Sequence, residues 1–226
     1  MLNSISENLK IINFNINEAK IKYNRENDDI KLMAVTKTVS PDKINYAINQ
    51  GIDLLGENRV QEYLEKYSSY NSSAEVHFIG HLQSNKVKYI IDKVKLIHSV
   101  DSIKLASEIN RLAEANGLHM DILVEINIGG ENSKSGIFPE QIIDFSYQIS
   151  EMSNIQLCGL MTIPPPTDSE KYFNKMFQLY NDVKDKKIPN TNIDILSMGM
   201  SSDYVEAIKY GSNIVRIGSG IFGARN

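Results

Sequence analysis

The sequence has 226 residues, of which 42% are hydrophobic and 23% are charged, and its formal net charge is -4. This composition is typical of a globular domain with one large core, and the scattered lysines and arginines exclude an electrostatic footprint for nucleic acid or an anionic membrane. The N-terminal residues lack the apolar core of a signal peptide, no stretch is long enough to span a bilayer, and the single cysteine, Cys158, excludes a disulfide framework. These features predict a cytoplasmic protein.

An amphipathic helix is predicted at the N-terminus, and strand-like apolar runs then alternate with segments of helical period. The predicted strands span residues 31–36, 52–57, 75–80, 95–100, 121–128, 155–163, 193–200 and 213–219. The predicted helices between them span 41–50, 58–69, 84–93, 102–116, 139–152, 168–186 and 202–210. This alternation favours a single (β/α)8 TIM barrel, an α/β fold of parallel strands, and a doubly wound open sheet is the competing fold.

The last predicted strand is followed only by residues 220–226, which are too few to form a helix that covers its outer face. We therefore expect the N-terminal helix, within residues 1–27, to pack on the barrel in that place. The chain has no linker, so residues 1–226 are predicted to form one barrel domain. The three prolines at 164–166 follow a strand and precede a helix, which indicates a stiff βα loop.

The first strand-like run ends abruptly at Lys37. Ser40 and Pro41 then signal the start of a helix, so Lys37 is expected at the carboxyl end of a strand, where barrels and open sheets both bind ligands. An amine desolvated at such a position is a candidate nucleophile for Schiff-base formation. The alternative is a lysine that extends into solvent along the strand end, and Lys37 alone favours that alternative.

The loops after the seventh and eighth strands are rich in glycine and serine. Barrels frequently bind phosphate with these two loops, so we expect Ser201, Gly218 and Ser219 to contact a phosphate group. Asp203 is interpreted instead as part of a capping box at the start of a helix. Residues 218–223 also match the dinucleotide fingerprint G-x-G-x-x-G, but the helix, strand and acidic residue that must follow it are missing.

A lysine facing a phosphate-anchored ligand indicates either pyridoxal 5'-phosphate (PLP) held as an imine or a Schiff-base aldolase that acts on sugar phosphates. Arg216 favours PLP, because an arginine beside the pyridine nitrogen keeps that nitrogen unprotonated. An ion pair at the end of the barrel explains Arg216 equally well. His77 and His81 have a plausible spacing for a metal site but no third ligand nearby. Cys158 lies within a strand, which argues against a cysteine nucleophile.

Seven motifs, in order and at characteristic spacings from about residue 31 to residue 225, resemble the YggS/PROSC family of pyridoxal phosphate homeostasis proteins. They are AVTKT, GENRVQE, HFIGHLQSNK, INIGGENSKSGI, GLMTIPPP, LSMGMSSD and VRIGSGIFGAR. The resemblance implies a single barrel similar to the N-terminal domain of bacterial alanine racemase, with PLP as its cofactor.

The resemblance also implies the roles of individual residues. Lys37 corresponds to the lysine that forms the internal aldimine, and Lys134 matches a second lysine implicated in cofactor handling. The remaining positions that match cofactor-binding residues are Asn58, His81, Met200, Ser201, Arg216, Gly218 and Ser219.

Alanine racemases add a β-domain that contributes a catalytic tyrosine across the dimer, and the motifs here end with the barrel. The resemblance therefore implies a protein, expected to be monomeric, that binds PLP and regulates its supply or delivers it to apo-enzymes, without efficient turnover of amino acids. A PLP-dependent amino-acid racemase is the alternative, a Schiff-base aldolase is a third hypothesis, and a scaffold without a ligand is a fourth.

Overall fold

Residues 2–131 and 133–224 are described by a computed structural model. Eight parallel strands form a closed barrel in sequence order, and β8 pairs with β1. The strands are β1 Lys31–Val35, β2 Leu54–Glu57, β3 Glu75–Phe78, β4 Leu96–Val100, β5 Met120–Glu125, β6 Ile155–Met161, β7 Thr191–Ser197 and β8 Ile214–Ile217. This closure confirms the predicted barrel and excludes the open sheet, in which the edge strands would lack a partner on one side.

Helices lie outside the barrel. They are α1 Leu2–Lys22, α2 Pro41–Asn49, α3 Val60–Lys66, α4 Ile103–Ala115, α5 Ile142–Ser150, α6 Ser169–Asp185, α7 Tyr204–Lys209 and α8 Ser219–Phe222. None of these helices combines the length and the hydrophobicity that crossing a bilayer requires.

The α-helix predicted over residues 84–93 is wrong, because this connection contains a 3-10 helix, Ser84–Tyr89, and then turns. Val87 and Ile90 are fully buried. Their spacing of three residues suits a helix with three residues per turn as well as an α-helix, so the apolar pattern did not separate the two.

The helix α1 covers the outer face of the strands that close the barrel. Its buried side chains pack in one cluster with Ala34 of β1 and with Val215 and Ile217 of β8; they are Ile5, Leu9, Ile12, Ile16 and Ala19. The helix ends at Lys22, earlier than predicted, because Asn24 has a left-handed backbone with φ of 56°. The final helix, α8, has only four residues.

Several strands end earlier than predicted, which moves polar and glycine residues into loops at the carboxyl end of the barrel. The seventh strand ends at Ser197, and Gly199 has φ of 92°, which a strand does not accommodate. The eighth strand ends at Ile217, so Gly218 and Ser219 begin the next turn. The candidate residues after β7 and β8 therefore lie outside the strands, and Ser219 is the first residue of α8.

Candidate functional site

Lys37 lies in the turn that follows β1. The strand ends at Val35, and Thr36 to Val39 form the turn before α2, which begins at Pro41 as predicted. The Lys37 side chain is half-buried, and Thr38 has a left-handed backbone with φ of 62°. The lysine is therefore at the carboxyl end of the barrel, where the strand-end pattern predicted it.

Two side chains of α3 hold this turn in place. The Nζ atom of Lys66 donates to the carbonyl oxygens of Thr36, at 3.1 Å, and Val39, at 3.2 Å, and it pairs with Glu62 Oε1 at 2.6 Å. The Thr38 N–H donates to the same Glu62 oxygen. Lys66 is only 12% exposed, so its bonds to the turn are protected from water. These contacts fix the backbone on both sides of Lys37.

A buried carboxyl group lies beside the turn. Thr36 Oγ1 donates to Glu57 Oε1 at 2.6 Å, and the Tyr70 hydroxyl donates to the same oxygen. Burial raises the pKa of Glu57 above its ordinary value, although these two hydrogen bonds act in the opposite direction. The carboxyl of Glu57 thus connects the end of β2 to the residue that precedes Lys37.

The pairing of β1 with β8 brings the Lys37 turn next to Gly218. The register aligns Ala34 with Ile217, so the residues that follow them, Val35 and Gly218, are neighbours at the barrel mouth. Both line a cavity of about 210 Å³, together with Lys43. Residues from the two ends of the sequence therefore meet at one site.

The hydroxyl groups predicted to contact phosphate lie side by side. Ser219 Oγ donates to Ser201 Oγ at 3.2 Å, and the Gly220 N–H donates to Ser201 Oγ at 3.1 Å. Gly218 immediately precedes α8. The loops after β7 and β8 thus converge and present hydroxyl and backbone N–H groups, which are the donors that an anion accepts.

Met200 and Asp203 stabilise the loop after β7 in a way that differs from the prediction. Asp203 precedes α7, but its carboxylate accepts a hydrogen bond from the Met200 N–H at 2.6 Å and makes no capping bond to the helix. The predicted capping box is therefore wrong, because the loop curls back and brings the Met200 amide to this carboxylate. The contact fixes the backbone of Met200, the residue that precedes Ser201.

Arg216 lies inside the barrel with its side chain almost fully buried. Its Nη1 donates to Ser197 Oγ at 2.7 Å, and its Nη2 donates to the Thr162 carbonyl oxygen at 2.8 Å. Burial lowers the pKa of Arg216 to about 10, and the charges of Glu125 and Asp203 oppose this shift. The guanidinium therefore keeps its proton at neutral pH.

Two histidines extend this arrangement, and the sequence pattern did not assign them a role. His98 Nδ1 lies 3.1 Å from Ser197 Oγ, and His98 Nε2 lies 3.0 Å from His77 Nδ1. Both rings are buried. The signal in the sequence was the alternation of β4, since His98 has the same parity as Leu96, whose side chain packs inside the barrel.

Asn58 lies directly after β2, close to the loop that carries His81. The Oδ1 atom of Asn58 is buried and has no hydrogen-bond partner among the described residues. A side chain at position 80 would place its Cβ 2.0 Å from the Asn58 carbonyl oxygen, so only glycine fits at this position. A buried acceptor without a hydrogen-bond partner at the barrel mouth indicates that a donor group of a ligand would bind there.

His81 and Lys134 lie in the loops that follow β3 and β5. His81 Nδ1 is 3.5 Å from Asp101 Oδ2 and 3.4 Å from Ser135 Oγ, so one nitrogen faces both groups and the three residues do not form a catalytic triad. Lys134 pairs with Glu131 at 2.5 Å in the loop after β5.

In an eight-stranded barrel β5 lies opposite β1, so the loops that carry Lys134 and Lys37 follow opposite strands. Within residues 2–131 and 133–224, no three histidine, cysteine or acidic side chains are grouped as a metal site requires.

Comparisons with known proteins agree with the barrel fold. Residues 8–226 match the family model described as alanine racemase, N-terminal domain. A pyridoxal phosphate homeostasis protein of Aquifex aeolicus is 43% identical over 93% of both chains, and one of Haemophilus influenzae is 41% identical over 99% of this chain and 97% of its own. The chain belongs to the family of pyridoxal phosphate homeostasis proteins.

Solved structures of other proteins have the same fold as this member of the homeostasis family. A protein from Bifidobacterium adolescentis, described as unknown, has a TM-score of 0.92 at 34% identity and covers 98% of this chain and 95% of its own. PipY of Synechococcus elongatus, solved with PLP bound, has a TM-score of 0.84 at 27% identity, with 97% and 100% covered.

Alanine racemase from Corynebacterium glutamicum shares only the fold with this family member, at 14% identity and a TM-score of 0.75. The match covers 99% of this chain but 61% of the racemase.

Proposed function

We propose that this protein binds PLP at the carboxyl end of its barrel, attached covalently through the Lys37 amine, and that it stores the cofactor or delivers it to apo-enzymes. The observation that carries the proposal is the pairing of β1 with β8, which places the Lys37 turn beside the loop of Gly218 and Ser219. The names of the homeostasis relatives and the PLP-bound PipY structure support the choice of ligand. Residues 1–226 would act as one PLP-binding domain and as a monomer.

The residues at the mouth of the barrel fit this cofactor. The phosphate requires several donors, which the hydroxyls of Ser201 and Ser219 and the backbone at Gly218 supply. The orphaned Oδ1 atom of Asn58 would accept a hydrogen bond at the ring. Met200, which the Asp203 carboxylate holds in place, and His81 on the rim would complete the surroundings of the cofactor.

When bound, PLP supplies an aldehyde that condenses with amines and a pyridine ring that withdraws electrons. Arg216 would face the ring nitrogen, because an arginine has five N–H donors and the two bonds to Ser197 and Thr162 leave further donors for a ligand. A guanidinium that keeps its own proton donates a hydrogen bond but does not protonate the ring nitrogen. The cofactor would then be a weak electron sink, which suits binding without efficient turnover.

Absorbance and chemical trapping test the attachment. The purified protein, incubated with PLP, is expected to absorb visible light, to lose this absorbance on borohydride reduction, and to carry the pyridoxyl mass on Lys37. Lys37→Ala should remain unlabelled. Lys31→Ala is the matched control, since Lys31 lies at the opposite end of the same strand and its variant should label normally. A protein that stays colourless and unlabelled in excess PLP would overturn the proposal.

The racemase alternative is tested with chiral assays of alanine, serine and other amino acids. Turnover at ordinary enzyme rates that disappears in Lys37→Ala would replace the carrier function with an enzymatic one. We expect no such turnover, because the site presents a weak electron sink.

Delivery is tested by transfer from the loaded protein to an apo-enzyme that requires PLP. We expect the loaded protein to activate the apo-enzyme faster than free PLP does at matched concentration. Equal rates would refute delivery, and storage would be the remaining function. Lys134→Ala should change the rate of loading or release if this second lysine handles the cofactor.

A further inference from the structure

A continuous chain of buried hydrogen bonds runs from Arg216 towards the opposite end of the barrel. Its successive distances are 2.7 Å from Arg216 Nη1 to Ser197 Oγ, 3.1 Å from Ser197 Oγ to His98 Nδ1, and 3.0 Å from His98 Nε2 to His77 Nδ1. Ser197 and His98 are fully buried, and Arg216 and His77 are nearly so. We call these four residues the histidine relay.

The chemistry of arginine fixes the direction of every bond in the histidine relay. A guanidinium only donates, so Ser197 Oγ accepts from Arg216. The serine hydroxyl keeps one proton to donate, and among the described residues His98 Nδ1 is the acceptor that faces it. His98 therefore carries its proton on Nε2 and donates to His77 Nδ1, and His77 in turn carries its proton on Nε2, 3.9 Å from Glu75 Oε2.

The relay ends at a cavity of about 410 Å³ at the amino end of the barrel. His77 lines this cavity, together with Lys31, Lys95 and Glu75. Burial lowers the pKa of His77 to about 3, and the charges of Lys31 and Lys95 act in the same direction. Burial, His77 and Arg216 lower the pKa of His98 well below its usual value. Both rings are therefore neutral at physiological pH, which the assigned tautomers require.

We propose that His98 is a positioning residue for the cofactor: it orients the Ser197 hydroxyl, and through it the Arg216 guanidinium, towards the ring nitrogen of bound PLP. His77 fixes the tautomer in which His98 does this. The inference rests on the proposed function and goes beyond it, because it assigns control of the cofactor ring to side chains that do not contact the cofactor. Thr162 holds the second arm of the guanidinium through its carbonyl oxygen, so one side of Arg216 is fixed by the backbone and the other by the relay.

Two substitutions at His98 separate this role from packing. His98→Leu removes the acceptor for Ser197, whereas His98→Asn places an amide oxygen close to the position of Nδ1 and keeps that acceptor. We expect PLP-loaded His98→Leu to show a displaced absorbance maximum, a shifted pH midpoint of the absorbance titration, and PLP release faster by about threefold to tenfold, the range for one buried hydrogen bond. His98→Asn should recover most of each change. His119→Leu, at an exposed position before β5, is the control.

A smaller substitution keeps the test valid if His98→Leu fails to fold. Ser197→Ala removes one hydroxyl and should reproduce the spectral shift, and adding His98→Asn to it should change nothing further, because the relay is already broken. Wild-type spectra and release rates in folded Ser197→Ala or His98→Leu would refute the relay. A wild-type protein that stays colourless and unlabelled in excess PLP would instead refute the proposed function, so the two failures are distinguishable.

Discussion

Replacing Glu125 by glutamine should change how the stability of the protein depends on pH. Glu125 is the last residue of β5 and is 8% exposed. Burial raises the pKa of its carboxyl from 4.5 to about 7, Asp101 adds to this effect, and Arg216 opposes it. The folded protein therefore holds the proton of Glu125 more tightly than the unfolded chain does.

The sign and size of the effect follow from linkage. The stability that protonated Glu125 contributes is fully present below pH 4.5 and is lost as the pH rises through about 7. A difference of this size corresponds to about 3 kcal/mol over the full range, and to roughly 2.5 kcal/mol between pH 5 and pH 8. Glu125→Gln is neutral at every pH and lacks this loss, so its stability relative to the wild type should increase by that amount across the interval.

Urea unfolding followed by circular dichroism, at several pH values between 5 and 8 and without added PLP, measures this difference. The buried histidines titrate in both proteins, so their effect cancels in the comparison. Glu114→Gln, at an exposed position on α4, is the control and should show a constant difference from the wild type. A constant difference for Glu125→Gln as well would show that the carboxyl is not perturbed by burial, and the reasoning would be refuted.

Three further predictions concern the surroundings of the site. Gly80→Ala should lower the stability of the fold more than Gly117→Ala does, and thermal unfolding of both variants measures this. The methyl group at position 80 would lie 2.0 Å from a backbone oxygen of the loop after β2, whereas the methyl group at position 117 meets no atom and only the left-handed backbone, with φ of 63°, opposes it. Lys66→Met should lower the free energy of unfolding by about 2 kcal/mol and slow the labelling of Lys37 by PLP, since the turn loses a buried charged donor. Unchanged labelling would show that the hydrogen bonds of Lys66 do not hold the turn for this reaction. Burial raises the pKa of Cys158 to about 12, so iodoacetamide at pH 8 should modify it far more slowly than a free thiol, as mass spectrometry would show.

Much of the fold was predictable because it depends on local patterns. The strand that ends before Lys37 and the helix start at Pro41 follow from neighbouring residues, and both agree with the structure. The closure of the barrel was predicted only as a preference, because pairing between β1 and β8 depends on packing that no local pattern records. The exact strand ends were missed where a left-handed residue such as Gly199 breaks the strand.

The candidate site divides in the same way. The glycine and serine residues after β7 and β8 were recognisable from their types, and the roles assigned to them remain predictions. The histidine relay was not recognised, because its members lie on β3, β4, β7 and β8 and meet only inside the closed barrel. The hydrogen bonds of Lys66 to the Lys37 turn were also missed, since Lys66 looks like an ordinary surface lysine on an amphipathic helix.

The contact between the first and last strands makes the order of synthesis important for this protein. Lys37 leaves the ribosome early, but Gly218 and Ser219 lie near the other end of the sequence and emerge late. A nascent chain that has not yet added β8 to β1 lacks the proposed phosphate donors and exposes two unpaired strand edges, a state that is prone to aggregate. Capture of PLP would therefore mark the completed barrel, and a shortage of the cofactor would deprive newly made chains of the stabilisation that a bound ligand gives.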